Sequence, residues 1–319
     1  MYNIYIKTTN KCNLTCKHCY VGDIIQPKYL NFDKLQSWIE LNSLDKEDNN
    51  FIFHGGEPLL GNIDDMIQFT KNIKNANVSI VSNLSMKLTN KINELLSLLG
   101  DNITTSFDTE RFSQESFSKW WNNISDLAKS YKLCLNVTIT KELLEYSISR
   151  LLNEIFSKFS IINIERLQQD GRAINNIDLY YKNSDMNEWV YKLYTEYNKE
   201  PRTYTVKLFQ DLANGKYGRC TGQFCRDCSK MMLTVNEDET VAGCPNKYKM
   251  IYGTLDNSLK ELFTNKNFIN FVKQEKNTPE YCRECDLYGI CRGDCQYQQF
   301  DETGCAVPKK LLREMLKNE

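Results

Sequence analysis

The stretch Cys12-Asn13-Leu14-Thr15-Cys16-Lys17-His18-Cys19 brings three thiols into one short loop. A three-then-two spacing aims them at one small volume, as a four-iron cubane held at three corners requires. A cluster that only stores electrons takes four thiolates. Three leave one iron open to a non-protein ligand, so the loop predicts chemistry at the metal rather than storage. Zinc is the other reading. A zinc site completes its tetrahedron with a fourth Cys or His nearby, and His18, lying between two of the ligands, is poorly placed to reach the same metal.

Upstream of the loop, Ile4-Tyr5-Ile6 reads as a strand. Downstream, short β-branched or aromatic runs alternate with amphipathic stretches. Residues 31–44 form a helix with Asn31 as cap and Leu35, Trp38 and Ile39 on one face. Strands follow at 50–53, 78–81, 103–107, 133–140 and 161–166, separated by helices over 63–73, 89–99 and 114–131 and within 142–159. Six alternations predict an α/β protein with a parallel sheet wrapped by helices. Six falls short of the eight units of a closed barrel. The pattern alone fits a partial barrel or an open doubly wound sheet.

The chain has 319 residues, 41% apolar, with 13 cysteines and a net charge of −1. No basic stripe with interleaved aromatics supports nucleic-acid binding. No apolar run is long enough to cross a bilayer. The amino terminus lacks a signal pattern, so the expected location is the cytoplasm. So many clustered cysteines there read as metal ligands rather than disulfides. Cys134, alone in an apolar stretch, reads as a small core residue. A Tyr-rich helix over 183–200 ends at Pro201, and the chain then becomes cysteine-dense. Two domains are expected, 1–205 and 206–319.

Cys12-x3-Cys16-x2-Cys19, followed by Tyr20, resembles the signature of the radical SAM superfamily. That resemblance implies a partial (β/α)6 TIM-like barrel. It implies that S-adenosylmethionine (SAM) chelates the open iron and is cleaved to a 5′-deoxyadenosyl radical, which takes a hydrogen atom from substrate. The cofactor carries the chemistry, and the protein positions and shields it. His18 fills the family's position beside the adenine. Gly55-Gly56-Glu57, directly after the second strand, resembles the family's motif for the SAM amino group. Asn83, Ser106 and Asp108 lie at carboxyl ends of strands, where α/β folds bind ligands. The resemblance implies contacts from them to the SAM carboxylate and ribose, though helix capping also suits these residue types. Glu165 and Arg166 end the sixth strand, and Arg166 is carried as a cofactor- or substrate-binding residue.

A second cysteine pattern, Cys282-x2-Cys285-x5-Cys291-x3-Cys295 and then Cys305, follows Cys220, Cys225, Cys228 and Cys244. Nine thiols match two fully ligated cubanes with one to spare, and a pair of zinc sites is the alternative. The pattern resembles the SPASM extension of many radical SAM cores. By that likeness Cys282, Cys285, Cys291 and Cys305 ligate a distal cluster. Cys295 crosses to a proximal one with Cys244, Cys228 and either Cys220 or Cys225, of which Cys220 is preferred. The residues 233–244 read as a hairpin feeding the proximal cluster. The family usually has Gly where this chain has Glu239. Three 4Fe-4S clusters are therefore expected in all.

Relatives with this extension mostly modify peptides, which implies a peptide or protein substrate and a carbon–carbon or thioether crosslink in a ribosomally made peptide. Small-molecule oxidation, formylglycine formation and a non-enzymatic iron–sulfur or zinc scaffold are the alternatives. Sulfatase-maturing relatives carry Asp after the equivalent of Cys244, whereas here Pro245 follows it. The chain starts directly at the first strand, so leader recognition is expected from a separate protein or from the core. An electron donor such as flavodoxin or ferredoxin is implied. Asp108, Glu165 and Asp227 are the acidic candidates for proton transfer.

Overall fold

The computed structural model describes residues 1–22, 26–46, 48–216, 226–298 and 300–317. Strands β1 (Asn3–Thr9), β2 (Asn50–Gly55), β3 (Asn77–Val81), β4 (Ile103–Phe107), β5 (Cys134–Ile139) and β6 (Ile161–Arg166) lie side by side in chain order. All pair in parallel. A two-residue strand, β7 (Thr205–Val206), adds to β6, also in parallel. The expected domain division at 205–206 falls inside it. Among the described residues the strand order is linear, so the barrel is open.

The helices between the strands arise where the sequence caps them. Asn31, Thr89 and Ser113 each accept a backbone N–H at the start of α1 (Phe32–Leu41), α3 (Asn90–Leu99) and α4 (Gln114–Leu127). Between α1 and α3, α2 (Ile63–Asn72) starts after Asn62 without a side-chain cap bond. The stretch expected to hold one helix within 142–159 is broken instead. Its first helical turn ends at Glu145, and Ser147 caps a second start by accepting from Arg150 N.

Alternation along the strands divides the sheet into two unlike faces. Ile4, Ile6, Phe51, Phe53, Ile80, Ile103, Leu135, Val137, Ile139 and Ile162 point outward and are fully buried under the helices. Leu35, Trp38 and Ile39 of α1, Met66 of α2, Leu95 and Leu96 of α3 and Trp120 of α4 meet them. The inward face carries Tyr5, Ile52, His54 and Val81 on the first three strands and Ser79, Thr104, Ser106, Asn136, Thr138, Asn163 and Glu165 from the third strand on. Such side chains do not build a packed interior of the kind that fills a closed barrel. They line a cavity of about 380 Å³.

The cysteine-rich region shares this sheet. Strands β8 (Met232–Val235) and β9 (Thr240–Ala242) form the expected hairpin, and β10 (Ile251–Thr254) extends it antiparallel. β8 pairs in parallel with β1, Ile4 opposite Leu233 and Ile6 opposite Val235. Glu239, at the position where Gly was expected, adopts φ +67° in the hairpin turn. Its carboxylate receives Lys34 Nζ at 2.8 Å, which ties the turn to α1. The architecture is α/β: a partial barrel of six strand–helix units followed by a small cysteine-rich region.

Candidate active site

The loop after β1 is anchored by backbone before any metal is considered. Gly56 N donates to Thr9 O at 2.8 Å and Glu57 N to Lys11 O at 2.7 Å. A Cβ on Gly56 would lie 2.3 Å from Asn10 O and 2.4 Å from Lys11 O. Only glycine allows β2 to end against this loop. From the other side Arg172 N donates to Cys19 O at 2.9 Å, and Tyr248 OH to Val21 O at 3.0 Å. Cys12, Cys16 and Cys19 are half-buried on the cavity wall. Burial pushes the Cys12 thiol up to about 11 and raises Cys16 as well. A thiol so placed ionises when a metal supplies the compensating charge. Leu14 N points at Cys12 Sγ from 3.4 Å, a donor suited to a thiolate.

Glu57 is buried beside this loop and held by three donors. Oε1 accepts from Leu59 N at 3.0 Å and Ser82 Oγ at 2.7 Å, and Oε2 from Asn83 N at 2.7 Å. Burial still raises its pKa to about 7. Asn83 lines the cavity and donates from Nδ2 to Asn13 Oδ1 of the cysteine loop at 2.8 Å. Ser106 also faces the cavity.

His18 and Asp108 meet through a residue that the sequence reading missed. Arg111 Nε donates to Asp108 Oδ2 at 2.8 Å, and Nη2 lies 3.2 Å from His18 Nε2. Burial lowers the His18 pKa, so its neutral ring accepts from the arginine. Asp108 therefore orients Arg111, and the guanidinium, not the carboxylate, reaches the cavity. The i, i+3 spacing of Asp108 and Arg111 was the available signal. Tyr20 and His54 were missed too. Tyr20 OH lies 3.0 Å from His54 Nδ1, and both rings line the cavity. Lys7 is buried against them with Nζ 3.0 Å from the Tyr248 ring centroid, and burial lowers its pKa to about 7.

Arg166, expected to face a ligand, does line the cavity, and its guanidinium is held by the cysteine-rich region. Its guanidinium forms a bidentate ion pair with Asp294, at 2.5 and 2.9 Å, and donates to Ala306 O at 2.9 Å. Its neighbour Glu165 turns the other way on the strand, into the cavity. Among the described residues the Glu165 carboxylate makes no hydrogen bond or ion pair, and burial, opposed by the charge of Arg111, raises its pKa to about 7. Asp227 faces Lys230 at 3.0 Å and Arg292 at 3.7 Å, outside the cavity.

The remaining thiols fall into two sets. Cys228, Cys244 and Cys295 are buried and line the same cavity as the first loop, with Pro245 and Asn246 beside them. Cys282, Cys285, Cys291 and Cys305 surround a separate small cavity. Cys220 and Cys225 lie outside the described residues. Cys134 lies on the inward-facing side of β5, where its sulfur accepts from Asn163 Nδ2 at 3.3 Å. No three His, Cys, Asp or Glu among the described residues are gathered around a single ion position. The all-thiol sets around open space suit soft metals and iron–sulfur clusters.

Residues 6–139 match the Radical SAM superfamily. The matched segment, less than half of the chain, contains the Cys12–Cys19 loop and Gly55-Gly56-Glu57, and the family it resembles implies a 4Fe-4S cluster. It is 24% identical to a cysteine-type anaerobic sulfatase-maturating enzyme of Clostridium novyi, over 90% of this chain and 86% of that protein. It is 22% identical to the radical SAM cyclopropyl synthase TigE of Paramaledivibacter caminithermalis, over 99% of this chain and 74% of that one. Among solved structures, native anSMEcpe with bound AdoMet superposes with a TM-score of 0.77 at 18% identity, covering 100% of this chain and 96% of that one. Streptococcus suis SuiB bound to S-adenosylmethionine gives 0.69 at 12% identity, covering 92% and 72%.

Proposed function

We propose that this chain is a peptide-modifying radical SAM oxidase with a SPASM-type extension, forming a carbon–carbon or thioether crosslink in a ribosomally made peptide. The observation that carries the reading is one cavity with the Cys12–Cys16–Cys19 loop at one wall and Cys228, Cys244 and Cys295 at another. A substrate in that space would touch both. Peptides accompany two of the structural relatives, Kp18Cys with anSMEcpe and the precursor SuiA with SuiB.

In this reading Cys12, Cys16 and Cys19 hold the cluster that binds SAM. Cys228, Cys244 and Cys295, with Cys220, hold a proximal auxiliary cluster. Cys282, Cys285, Cys291 and Cys305 hold a distal one. The clusters and SAM supply a one-electron reductant, a hydrogen-abstracting radical and an electron acceptor. The protein's own residues supply the rest. Gly55 and Gly56 let the backbone come close, and Glu57 receives the SAM amino group. His18, Asn83, Ser106 and the Asp108-oriented Arg111 take the adenine, carboxylate and ribose. Glu165, the free carboxylate in the cavity, takes the proton that the substrate loses. We draw the core's end after Ala213 rather than at 205, because the helix Lys207–Ala213 packs on β6. A leader-binding protein, a flavodoxin or ferredoxin donor and a cytoplasmic location belong to the same proposal.

A second reading, formylglycine formation, draws on the Clostridium relatives, with Glu165 supplying the cavity carboxylate that Pro245 does not. Anaerobic reconstitution with iron and sulfide counting tests the common basis of both. About twelve irons in the wild type, about eight in Cys12/Cys16/Cys19→Ala and loss of 5′-deoxyadenosine there are expected. Zinc in place of iron, or no SAM cleavage by the loaded wild type, overturns it. A precursor peptide that gains a crosslink rather than an aldehyde decides between the two readings.

A further inference from the structure

The chain between Cys291 and Cys295 takes a shape that side chains resist. Arg292, Gly293 and Asp294 follow one another with φ of +52°, +86° and +60°. Residues with a Cβ avoid this region because the Cβ crowds the following carbonyl oxygen. Three in succession need outside support, and two arginines provide it. Arg226 donates from Nη2 to Gly293 O at 3.1 Å while its Nη1 holds Glu275 O at 3.1 Å and Asn277 O at 3.2 Å. From the barrel side, Arg166 grips Asp294 through two bonds, with the two side chains 2% and 7% exposed. The turn separates the two thiol sets. Cys291 lines the small cavity and Cys295 the large one.

We propose that Arg166 is a positioning residue for the auxiliary end of the cavity. By clamping Asp294 it holds the left-handed turn that presents Cys295 to the substrate space and Cys291 to the opposite side. It also balances the Asp294 carboxylate beside that thiol set with a permanent positive charge, since a guanidinium does not deprotonate in proteins. Reduction adds negative charge to a cluster, so a neighbouring cation favours the reduced state. Arg166 thus keeps the Asp294 charge from opposing reduction of the cavity-side cluster, and its removal leaves that carboxylate uncompensated. The inference rests on the proposed ligation of that cluster by Cys295. The sequence reading placed Arg166 against the ligand itself, whereas here it acts through the turn.

The test uses the anaerobically reconstituted full chain with Arg166→Met, Arg166→Lys and Asp294→Asn. Glu188→Gln serves as control, because it removes another ion pair between the two regions, the exposed Lys310–Glu188 at 2.6 Å. Iron content, the EPR signal of the reduced protein and a redox titration are recorded. Arg166→Met should change the line shape of one auxiliary cluster and shift its oxidised-to-reduced balance about tenfold toward oxidised, or 59 mV for one electron. Arg166→Lys should restore the potential but not the line shape, because it keeps the charge and loses the bidentate geometry. Loss of about four irons confined to the Arg166 and Asp294 variants supports the proposal equally. Iron content, line shape and potential matching the wild type and Glu188→Gln in all three variants overturn it and leave a simple staple. If Arg166→Met does not fold, Arg166→Lys and Asp294→Asn decide. A wild type that takes up no iron refutes the underlying ligation instead, before any variant is compared.

Discussion

Gly56→Ala isolates one cause, the close approach of β2 to the cysteine loop. Gly56 does not have a positive φ, so alanine meets no backbone strain of its own there. The cost comes from the added Cβ, 2.3 Å from Asn10 O and 2.4 Å from Lys11 O. Both obstacles are backbone, so no side chain can swing aside. Relief to an ordinary contact of about 3.4 Å requires the loop to move by about 1 Å. That movement breaks the bonds from Gly56 N to Thr9 O and from Glu57 N to Lys11 O. Two lost bonds at about 1 kcal/mol each, with buried donors left behind, give about 3–5 kcal/mol. For a chain of this size that corresponds to a fall of roughly 5–10 °C in Tm. Thermal unfolding of the apo-protein by circular dichroism measures the cost, and iron and SAM binding after reconstitution report on the site. Gly100→Ala is the comparison, with φ +59° and nothing within 4 Å of the added Cβ. It should lower Tm through backbone strain yet keep iron and SAM. The close-approach argument fails if Gly56→Ala binds both as the wild type does, or if Gly100→Ala loses them equally.

Glu57 gives a pH signature. Its pKa is raised by burial from 4.5 to about 7 in the folded chain, so the fold prefers the neutral acid. That contribution to stability is complete below 4.5 and is lost as pH rises through 7, about 3 kcal/mol in all. Denaturant unfolding of the apo-protein at pH 5 and pH 8 should show the wild type losing stability relative to Glu57→Gln across that range, and a constant difference would contradict the burial argument. For Glu165, Glu165→Gln should leave SAM affinity and uncoupled 5′-deoxyadenosine formation within about twofold. Peptide turnover, followed by mass spectrometry, should fall by about 10²–10⁴ as a proton acceptor is removed. A weakened SAM affinity would instead reassign Glu165 to the cofactor.

What the sequence made legible follows from how local each signal is. Strands β1 to β6 and the helix cap Asn31 rest on residues within a few positions of one another, and they lie where the pattern put them. The cysteine loop and Gly55-Gly56-Glu57 are equally local. The partner of Arg166 is 128 residues away, so no window along the chain pairs it with Asp294. The joining of β8 to β1 is of the same kind, a long-range strand pairing that leaves no mark in either segment. Arg111 was within reach, three residues past Asp108, but its function depends on the turn after β4 folding back toward His18.

The inward sheet face contributes little to the core, and the residues on it show why. Ser106, Asn136 and Asn163 stand level on β4, β5 and β6, and Thr138 stands level with Glu165 one layer higher. Larger apolar residues there would add buried area, so by stability alone the row is a bad choice. The outward face carries the packing instead, with fully buried aliphatic and aromatic side chains on the barrel strands from β1 to β6. That division leaves the interior open, with polar side chains on β4 to β6 facing Tyr5, Ile52 and Val81 on β1 to β3. It also fixes where chemistry happens, because the thiols of the β1 loop and those near β8 open onto that same space. The pairing of β8 with β1 makes this geometry rigid, since the strand that leads into the first cysteine loop is also the neighbour of the hairpin that ends at Cys244. The first cysteine loop and the hairpin before Cys244 are therefore joined by a single hydrogen-bonded ladder, and the ion pair of Arg166 with Asp294 closes the opposite side.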